Sequence, residues 1–346
     1  MNKNKTAAFI CAVIISASVF SGCKGDDNSS GGNSEPTSSY SQTEEYMAKN
    51  QLSNPNSNVK TQKIYDYICD NYGTNIISCQ QESTWMGSPD YEMNYIEETT
   101  GKIPAMRGLD FMNNDFDGVV SRAKEWDEKG GLVTICWHTG VKSSGYQNSL
   151  DDDPDFEKLL TEGTDEYNTL MKSWDRAAKS LQELQEAGVT VFWRPFHEFN
   201  GNQWGSWFWW GKGGADNFVK LWRLMYDKFT NEYGLNNLIW VLGYTDDIMD
   251  GWYPGDEYCD IIGSDSYDGT TNVKTWQKLT EIANKPMAFH ECGNIPSVEQ
   301  FEKDGAMWSW FMIWHTDVLT ENNADNLKEV YNSDKVITLD ELPDFN

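Results

Sequence analysis

Positive charge is scarce in this sequence, and the deficit limits the kinds of partner that the protein can bind. Lys and Arg together number 27 against 54 Asp and Glu, which gives a formal net charge of −27 at pH 7. A field of that sign repels nucleic-acid phosphates and anionic lipid headgroups. The composition therefore excludes nucleic acid as a partner and favours an exported protein that acts on a neutral substrate.

Neither the cysteines nor the histidines show the spacing of a disulfide framework or a metal centre. The sequence has 7 cysteines and 4 histidines, and it contains no His-x-His or His-Glu-x-x-His pattern. We therefore expect no bound metal and no cofactor. An odd number of cysteines follows residue 23, so we predict mostly free, buried thiols with at most one or two bridges among Cys69, Cys79, Cys136, Cys259 and Cys292.

The longest apolar run lies near the start of the chain, at residues 7–20, and follows Lys3 and Lys5. It is shorter than the roughly 20 apolar residues of a spanning helix, and it ends in small residues, as an export signal does. The letters FSGC at 20–23 resemble a bacterial lipobox, which implies cleavage before Cys23 and a lipid anchor on that residue. We predict a signal peptide over residues 1–22 and a lipoprotein at the bacterial cell surface or membrane. Full secretion with an incidental cysteine is the alternative.

Residues 23–53 lack the apolar side chains that a core requires and are rich in Ser, Gly, Asn and acidic residues. Such a composition predicts a flexible linker. No second linker and no internal repeat divides the rest of the chain. We expect one catalytic domain over residues 54–346, because that length suits a barrel that folds as a single domain, and we expect a monomer.

Short apolar segments alternate with segments of helical periodicity beyond residue 54. Apolar residues recur at three- and four-residue spacing over residues 170–184 and 218–229, and Gly188 ends the first of these helices. Eight strands with crossover helices predict an α/β fold, a single (β/α)8 TIM barrel. An open doubly wound sheet is the alternative, but no glycine-rich phosphate turn follows the first strand. The predicted strands are residues 75–79, 103–110, 132–138, 190–194, 238–242, 261–265, 287–291 and 311–315.

Two of the strand ends carry glutamates, Glu198 after the fourth strand and Glu291 at the end of the seventh. Active sites of such barrels lie at the C-terminal ends of the strands. Two carboxylates that face each other across a barrel mouth can serve as the acid/base and the nucleophile of a retaining glycosidase. Aromatic neighbours raise the pKa of the acid by desolvation. A salt bridge is the commoner role for one strand-end Glu, but for this pair we predict catalysis.

Tryptophan is abundant, with 16 residues, and five of them fall within 193–210. An indole ring can fill a core or stack on the face of a sugar. We expect core positions for Trp174, Trp222 and Trp240, and either position for Trp137. The cluster at 193–210 favours a carbohydrate ligand.

The segment WRPFHEFNG at 193–201, followed by WFWWG at 207–211, resembles the acid/base motif of glycoside hydrolase family 26. The best-known members of that family are β-mannanases. The resemblance extends over residues 54–338 and includes NIISCQQE at 75–82, which is similar to the family's first strand. It implies a retaining endo-β-1,4-mannanase that hydrolyses β-mannan or a related plant polysaccharide by double displacement. In that reaction Glu198 is the acid/base and Glu291 the nucleophile.

Several further residues are predicted to bind the substrate. The resemblance implies that His138 lies beside the sugar at the cleavage point, that Tyr267 hydrogen-bonds the nucleophile, and that Trp314 forms a floor beneath that sugar. Asp265 matches a nearby acidic position of the family. The remaining candidates are Arg194, which can orient a carboxylate, His197 and Asn200, which can bind hydroxyls, and Trp207, which can stack on a sugar.

Three alternatives remain open. Another family 26 activity, on mixed-linkage β-glucan or β-1,3-xylan, would use the same glutamates. The converging histidines could serve a metal-dependent barrel hydrolase, although such an enzyme does not need the tryptophan cluster. A non-catalytic carbohydrate-binding lipoprotein would explain the aromatic residues but not the paired glutamates.

Overall fold

A computed structural model of the protein describes residues 50–346. The predicted signal peptide, the predicted lipid-anchored Cys23 and the linker up to residue 49 lie outside the described residues. Among the helices of residues 50–346, none combines the length and the apolar character that crossing a membrane requires.

Eight parallel strands close into a barrel, which confirms the predicted TIM-barrel fold. The strands are Ile76–Gln81 (β1), Met106–Asp110 (β2), Leu132–Cys136 (β3), Val191–Arg194 (β4), Leu238–Tyr244 (β5), Ile261–Ser266 (β6), Met287–Cys292 (β7), Trp310–Ile313 (β8) and the short Val336–Ile337 (β9). Neighbouring strands pair in sequence order from β2 to β8, and β1 pairs with both β8 and β2. β9 adds to the start of β1.

Helices connect the strands and surround the barrel. The α-helices are Val59–Asn71 (α1), Tyr91–Thr100 (α2), Phe116–Glu128 (α3), Tyr146–Asp151 (α4), Phe156–Leu159 (α5), Asp165–Glu186 (α6), Trp209–Lys212 (α7), Ala215–Tyr226 (α8), Val273–Ile282 (α9), Val298–Asp304 (α10), Asp317–Thr320 (α11) and Ala324–Tyr331 (α12). A π-helical turn, Asp227–Glu232, continues α8. Both helices predicted from apolar spacing are confirmed, as α6 and as α8 with its π-helical extension.

Helix α6 shows how the sequence sets these elements. The Thr164 side chain accepts a hydrogen bond from the Tyr167 backbone N–H and caps the first turn. The apolar face of the helix is buried, including Trp174 and Leu181, and each such side chain contributes about 1.5–3 kcal/mol by leaving water. Gly188 follows with a φ of 77°, a conformation that glycine adopts without a steric penalty.

The core has two layers, because side chains alternate between the two faces of each strand. One set of buried side chains fills the barrel and includes Ile77, Phe192, Val241 and Met312. The alternate set packs against the surrounding helices. Trp174, Trp222 and Trp240 belong to this outer layer and are fully buried, as predicted.

The five cysteines of the described residues are all free thiols, as predicted. Four of them are buried, and Cys69 is partly exposed.

Candidate active site

The loop after β4, residues 195–200, carries Glu198 in a constrained backbone. Phe196 and Glu198 have positive φ values, 56° and 50°, which cost about 1–2 kcal/mol each for residues other than glycine. The Glu198 backbone N–H donates to the Gly243 carbonyl at 2.8 Å. The Asn200 amide oxygen accepts from the Thr245 backbone N–H, and its NH2 donates to the Asp247 carbonyl. Contacts with β5 and the loop after it therefore hold Glu198 in place.

Asn200 was predicted to bind sugar hydroxyls. The structure instead engages both polar atoms of its buried side chain with backbone groups of the loop after β5. Its observed contacts position the acid/base loop.

Glu198 lies in surroundings that favour its protonated form. Burial and the nearby charge of Glu291 raise its pKa to about 7, and a hydrogen bond from Trp207 opposes the shift. That bond runs from Trp207 Nε1 to Glu198 Oε2 at 2.9 Å. A carboxyl group with this pKa can donate a proton near neutral pH.

A register irregularity in β7 turns two consecutive side chains toward the Arg194 guanidinium. Phe289 pairs with Ser264 and Glu291 pairs with Asp265, so His290 is skipped. Consecutive residues of a regular strand point to opposite faces, yet His290 and Glu291 both contact the Arg194 guanidinium. Bulges are common beside active sites because they redirect a side chain.

The Glu291 carboxylate is buried and held at both oxygens. Tyr267 Oη donates to Oε2 at 2.9 Å, and Arg194 Nη1 donates to Oε1 at 3.3 Å. Burial raises the pKa of Glu291, and the positive charge of Arg194 opposes that rise. Two donors that stabilise the ionised form suit a carboxylate that attacks as an anion.

Arg194, His290 and Asp265 form a buried network beneath the two glutamates. Arg194 Nη1 lies 3.1 Å from His290 Nε2, and His290 Nδ1 lies 2.6 Å from Asp265 Oδ1. Arginine can only donate, so His290 Nε2 accepts and its proton resides on Nδ1. His290 is therefore neutral, which agrees with burial lowering its pKa well below the usual range. Burial, followed by the charges of Glu291 and Glu198, raises the pKa of Asp265.

Asp265, His290 and Glu291 lie close enough together to hold a metal ion. Both nitrogens of His290 are engaged, however, and the Arg194 cation contacts the same cluster. These contacts assign the cluster to hydrogen bonding rather than to metal ligation.

Asp110, at the end of β2, was not predicted as a site residue. Its Oδ2 lies 2.5 Å from His138 Nδ1, and its Oδ1 accepts from the His138 backbone N–H at 3.0 Å. Burial disfavours the charge on His138, but Asp110 outweighs it and raises the His138 pKa. Like Glu291, Asp110 lies at the C-terminal end of a strand, so the rule that indicated Glu291 applies to Asp110 as well.

The predicted aromatic residues separate into core and cleft. Trp193, Trp209 and Trp210 are fully buried, and Trp137 is also part of the core. Trp207 is partly exposed at the cleft, and Trp314 follows β8 with its ring 6.2 Å from that of His138. The His197 ring packs 4.7 Å from His138, and its Nε2 lies 3.9 Å from Glu291 Oε1.

Two cavities at the barrel mouth contain the predicted residues. One, of about 660 Å³, is lined by Glu198, Trp207, Asp265 and Tyr267 among others. The other, of about 540 Å³, is lined by His138 and Trp314, together with side chains that were not predicted, notably Trp85 and Tyr146. Tyr146 begins α4, in the segment between β3 and β4. Trp85 lies in a loop without periodicity, so no sequence pattern indicated it.

Known proteins resemble this chain over most of its length. A mannan endo-1,4-β-mannosidase of Thermothelomyces thermophilus is 32% identical over 326 residues, which cover 86% of this chain and 64% of that protein. A mannan endo-1,4-β-mannosidase A of a Piromyces species is 32% identical over 85% of this chain and 51% of its own length. The chain thus spans less than two thirds of the length of these curated relatives.

Solved structures show the same similarity. A ruminal family 26 endo-β-1,4-mannanase superposes with a TM-score of 0.79 at 34% identity, covering 86% of this chain and 71% of that one. A family 26 protein of a Muricauda species superposes with a TM-score of 0.77 at 35% identity, covering 84% and 99%. The model of glycosyl hydrolase family 26 matches residues 53–341, and the chain therefore belongs to glycoside hydrolase family 26.

Proposed function

We propose that this protein is a retaining endo-β-1,4-mannanase that cleaves β-mannan or a related plant polysaccharide. The observation that carries the proposal is the contrast between the two glutamates. Glu198 has a pKa raised to about 7, whereas Glu291 is held by the Arg194 guanidinium and the Tyr267 hydroxyl. The relatives named as mannanases support the choice of polysaccharide.

In the first step, Glu291 attacks the anomeric carbon while Glu198 protonates the departing glycosidic oxygen. The covalent glycosyl-enzyme neutralises Glu291. Since the charge of Glu291 contributes to the raised pKa of Glu198, its loss lowers that pKa and converts Glu198 into the base that activates water in the second step.

Cleft space on both sides of the glutamates supports cleavage within the polysaccharide chain. The cavity at Trp207 and the cavity at Trp314 provide room for sugars before and after the scissile bond. Linear mannan should yield mixed short oligosaccharides from the first minutes. Mannobiose as the sole early product would contradict the endo mode.

A reducing-sugar assay on mannan, glucomannan, mixed-linkage glucan and β-1,3-xylan tests the substrate. Activity confined to the glucan or the xylan would refute the mannan assignment.

The roles of the glutamates are tested with an aryl β-mannoside and azide. Glu198→Ala should give a β-glycosyl azide, because the glycosyl-enzyme forms without acid help when the leaving group is good. Glu291→Ala should give the α-azide, and the opposite configurations would exchange the two roles.

We also propose that the protein is exported as a monomer and anchored through a lipid on Cys23. The basic start, the short apolar run and the cysteine occur in the order of a lipoprotein signal. Cys23→Ser should release active enzyme from the membrane fraction of the producing bacterium. Equal membrane retention of the variant would reject the anchor, and release of the unaltered protein would indicate full secretion.

A further inference from the structure

A line of rings leads away from the catalytic glutamates along one side of the cleft. The Trp314 ring lies 6.2 Å from His138, the His315 ring 4.7 Å from Trp314, and the Trp85 ring 4.8 Å from His315. All four side chains line the cavity of about 540 Å³. The line therefore leads from Trp314, which is predicted to lie beneath the reacting sugar, toward parts of the cleft that are farther from the catalytic glutamates.

Trp85, at the far end of this line, is not needed to fill the core. Its side chain is 52% exposed, an unusual position for a large indole in a folded protein. Tyr146, which is also exposed, lines the same cavity together with Asn113 and Asn148. Exposed aromatic faces beside amide groups are suited to a sugar ring, which has apolar C–H faces and polar hydroxyl edges.

The backbone on both sides of the Trp85–His315 contact is fixed by one buried carboxylate. Glu92 in α2 is fully buried; its Oε2 accepts from the Ser83 backbone N–H at 3.0 Å and its Oε1 from the Thr316 backbone N–H at 3.1 Å. Ser83 precedes Trp85 in the loop after β1, and Thr316 follows His315 in the loop after β8. The carboxylate thus ties together the two loops that carry the rings. A surface held in this way loses little conformational entropy when a ligand binds.

We propose that Trp85, supported by His315, binds a distal mannosyl unit on the non-reducing side of the scissile bond, beyond the unit that lies over Trp314. This inference rests on the proposed mannanase function. In this role, Trp85 sets the chain length of the substrate that is needed for efficient cleavage. Glu92 is a positioning residue, because its carboxylate holds the two loops that carry Trp85 and His315.

The experiment compares aryl β-mannoside, β-mannobioside and β-mannotrioside as substrates of the full chain. In the unaltered enzyme, kcat/KM should rise with each added sugar that meets a subsite. On the first substrate long enough to reach Trp85, kcat/KM of Trp85→Ala should be about three- to tenfold lower than that of the unaltered enzyme, in line with the strength of aromatic stacking. On shorter substrates the two enzymes should not differ. Trp85→Phe keeps a ring and should retain most of the gain.

Met86→Ala is the matched control. Met86 is the next residue of the same loop and is also exposed, at 39%, but it does not line the cavity. The inference is overturned if Trp85→Ala keeps the full rise with length, if it loses activity equally at every length, or if Met86→Ala shows the same loss. These three outcomes leave the mannanase function intact. An unaltered enzyme that cleaves no mannoside would overturn the proposed function and the distal site together.

Discussion

The hydrogen bond from Trp207 to Glu198 allows the protonation of the acid/base to be tested directly. Trp207 Nε1 donates to Glu198 Oε2 at 2.9 Å and stabilises the ionised carboxylate. Hydrogen bonds to charged groups contribute about 1.5–3 kcal/mol. Trp207 is partly exposed, so water can replace part of this contact, and the lower value applies. A loss of about 1.4 kcal/mol raises a carboxyl pKa by about one unit. In Trp207→Phe, the pKa of Glu198 should therefore rise from about 7 to about 8.

The pH dependence of kcat/KM on a manno-oligosaccharide measures this change, because kcat/KM reports the ionisations of the free enzyme. Activity requires protonated Glu198, so the basic limb of the profile should lie near the Glu198 pKa of about 7 in the unaltered enzyme. In Trp207→Phe that limb should move upward by about one pH unit. KM can also increase, since the indole lines the cleft, but a weaker sugar contact alone does not shift the limb.

Trp85→Phe is the control for this experiment, because it makes the same chemical change in the other cavity, away from Glu198. Its basic limb should stay in place. A basic limb of Trp207→Phe that does not move, or that moves to lower pH, would refute the role assigned to the indole N–H.

Much of the fold and several residues of the candidate site follow from local sequence patterns. Apolar runs and helical spacing are local properties, so all eight barrel strands were predicted to within a few residues of their observed bounds. The rule that chemistry lies at strand ends then indicated Glu198, Glu291 and His138. The same rule also covers Asp110, which was not predicted because its partner, His138, lies 28 residues away in the sequence.

Other features depend on contacts that no local pattern encodes. The simultaneous contact of His290 and Glu291 with Arg194 requires the register irregularity between β6 and β7, which is a property of the strand pair. Asn200 has the polarity of a sugar ligand, but its partners belong to the loop after β5, 45 and 47 residues away. The side chain alone could not distinguish these roles.

Three further substitutions test the supports of the site. Gly243→Ala should lower both stability and kcat, because its Cβ would lie 2.7 Å from the His290 ring, which hydrogen bonds hold at both nitrogens. Overpacking of this kind costs about 1–3 kcal/mol; urea unfolding and steady-state kinetics measure it, and unchanged values in both would contradict the prediction. Glu92→Gln should lower the free energy of unfolding by about 1–3 kcal/mol, since an amide NH2 would face a backbone N–H; an unchanged urea midpoint would contradict this. Asp110→Asn removes the negative charge that raises the pKa of His138 above 6.5. The pKa of the Asp110 carboxyl itself lies below 3.8 in the folded protein. The interaction of protonated His138 with Asp110 stabilises the fold fully below pH 6.5, and this contribution is lost as the pH rises through the pKa of His138 in the folded protein. The lowered Asp110 pKa stabilises the fold above pH 3.8, and this contribution is lost as the pH falls through its folded-state value. The unaltered protein should therefore exceed Asp110→Asn in stability by about 1.5–3 kcal/mol between pH 3.8 and 6.5, and the difference should shrink at higher pH. Urea unfolding across pH 4–9 measures it, and a difference that grows with pH would show that the pair is not charged in the folded protein.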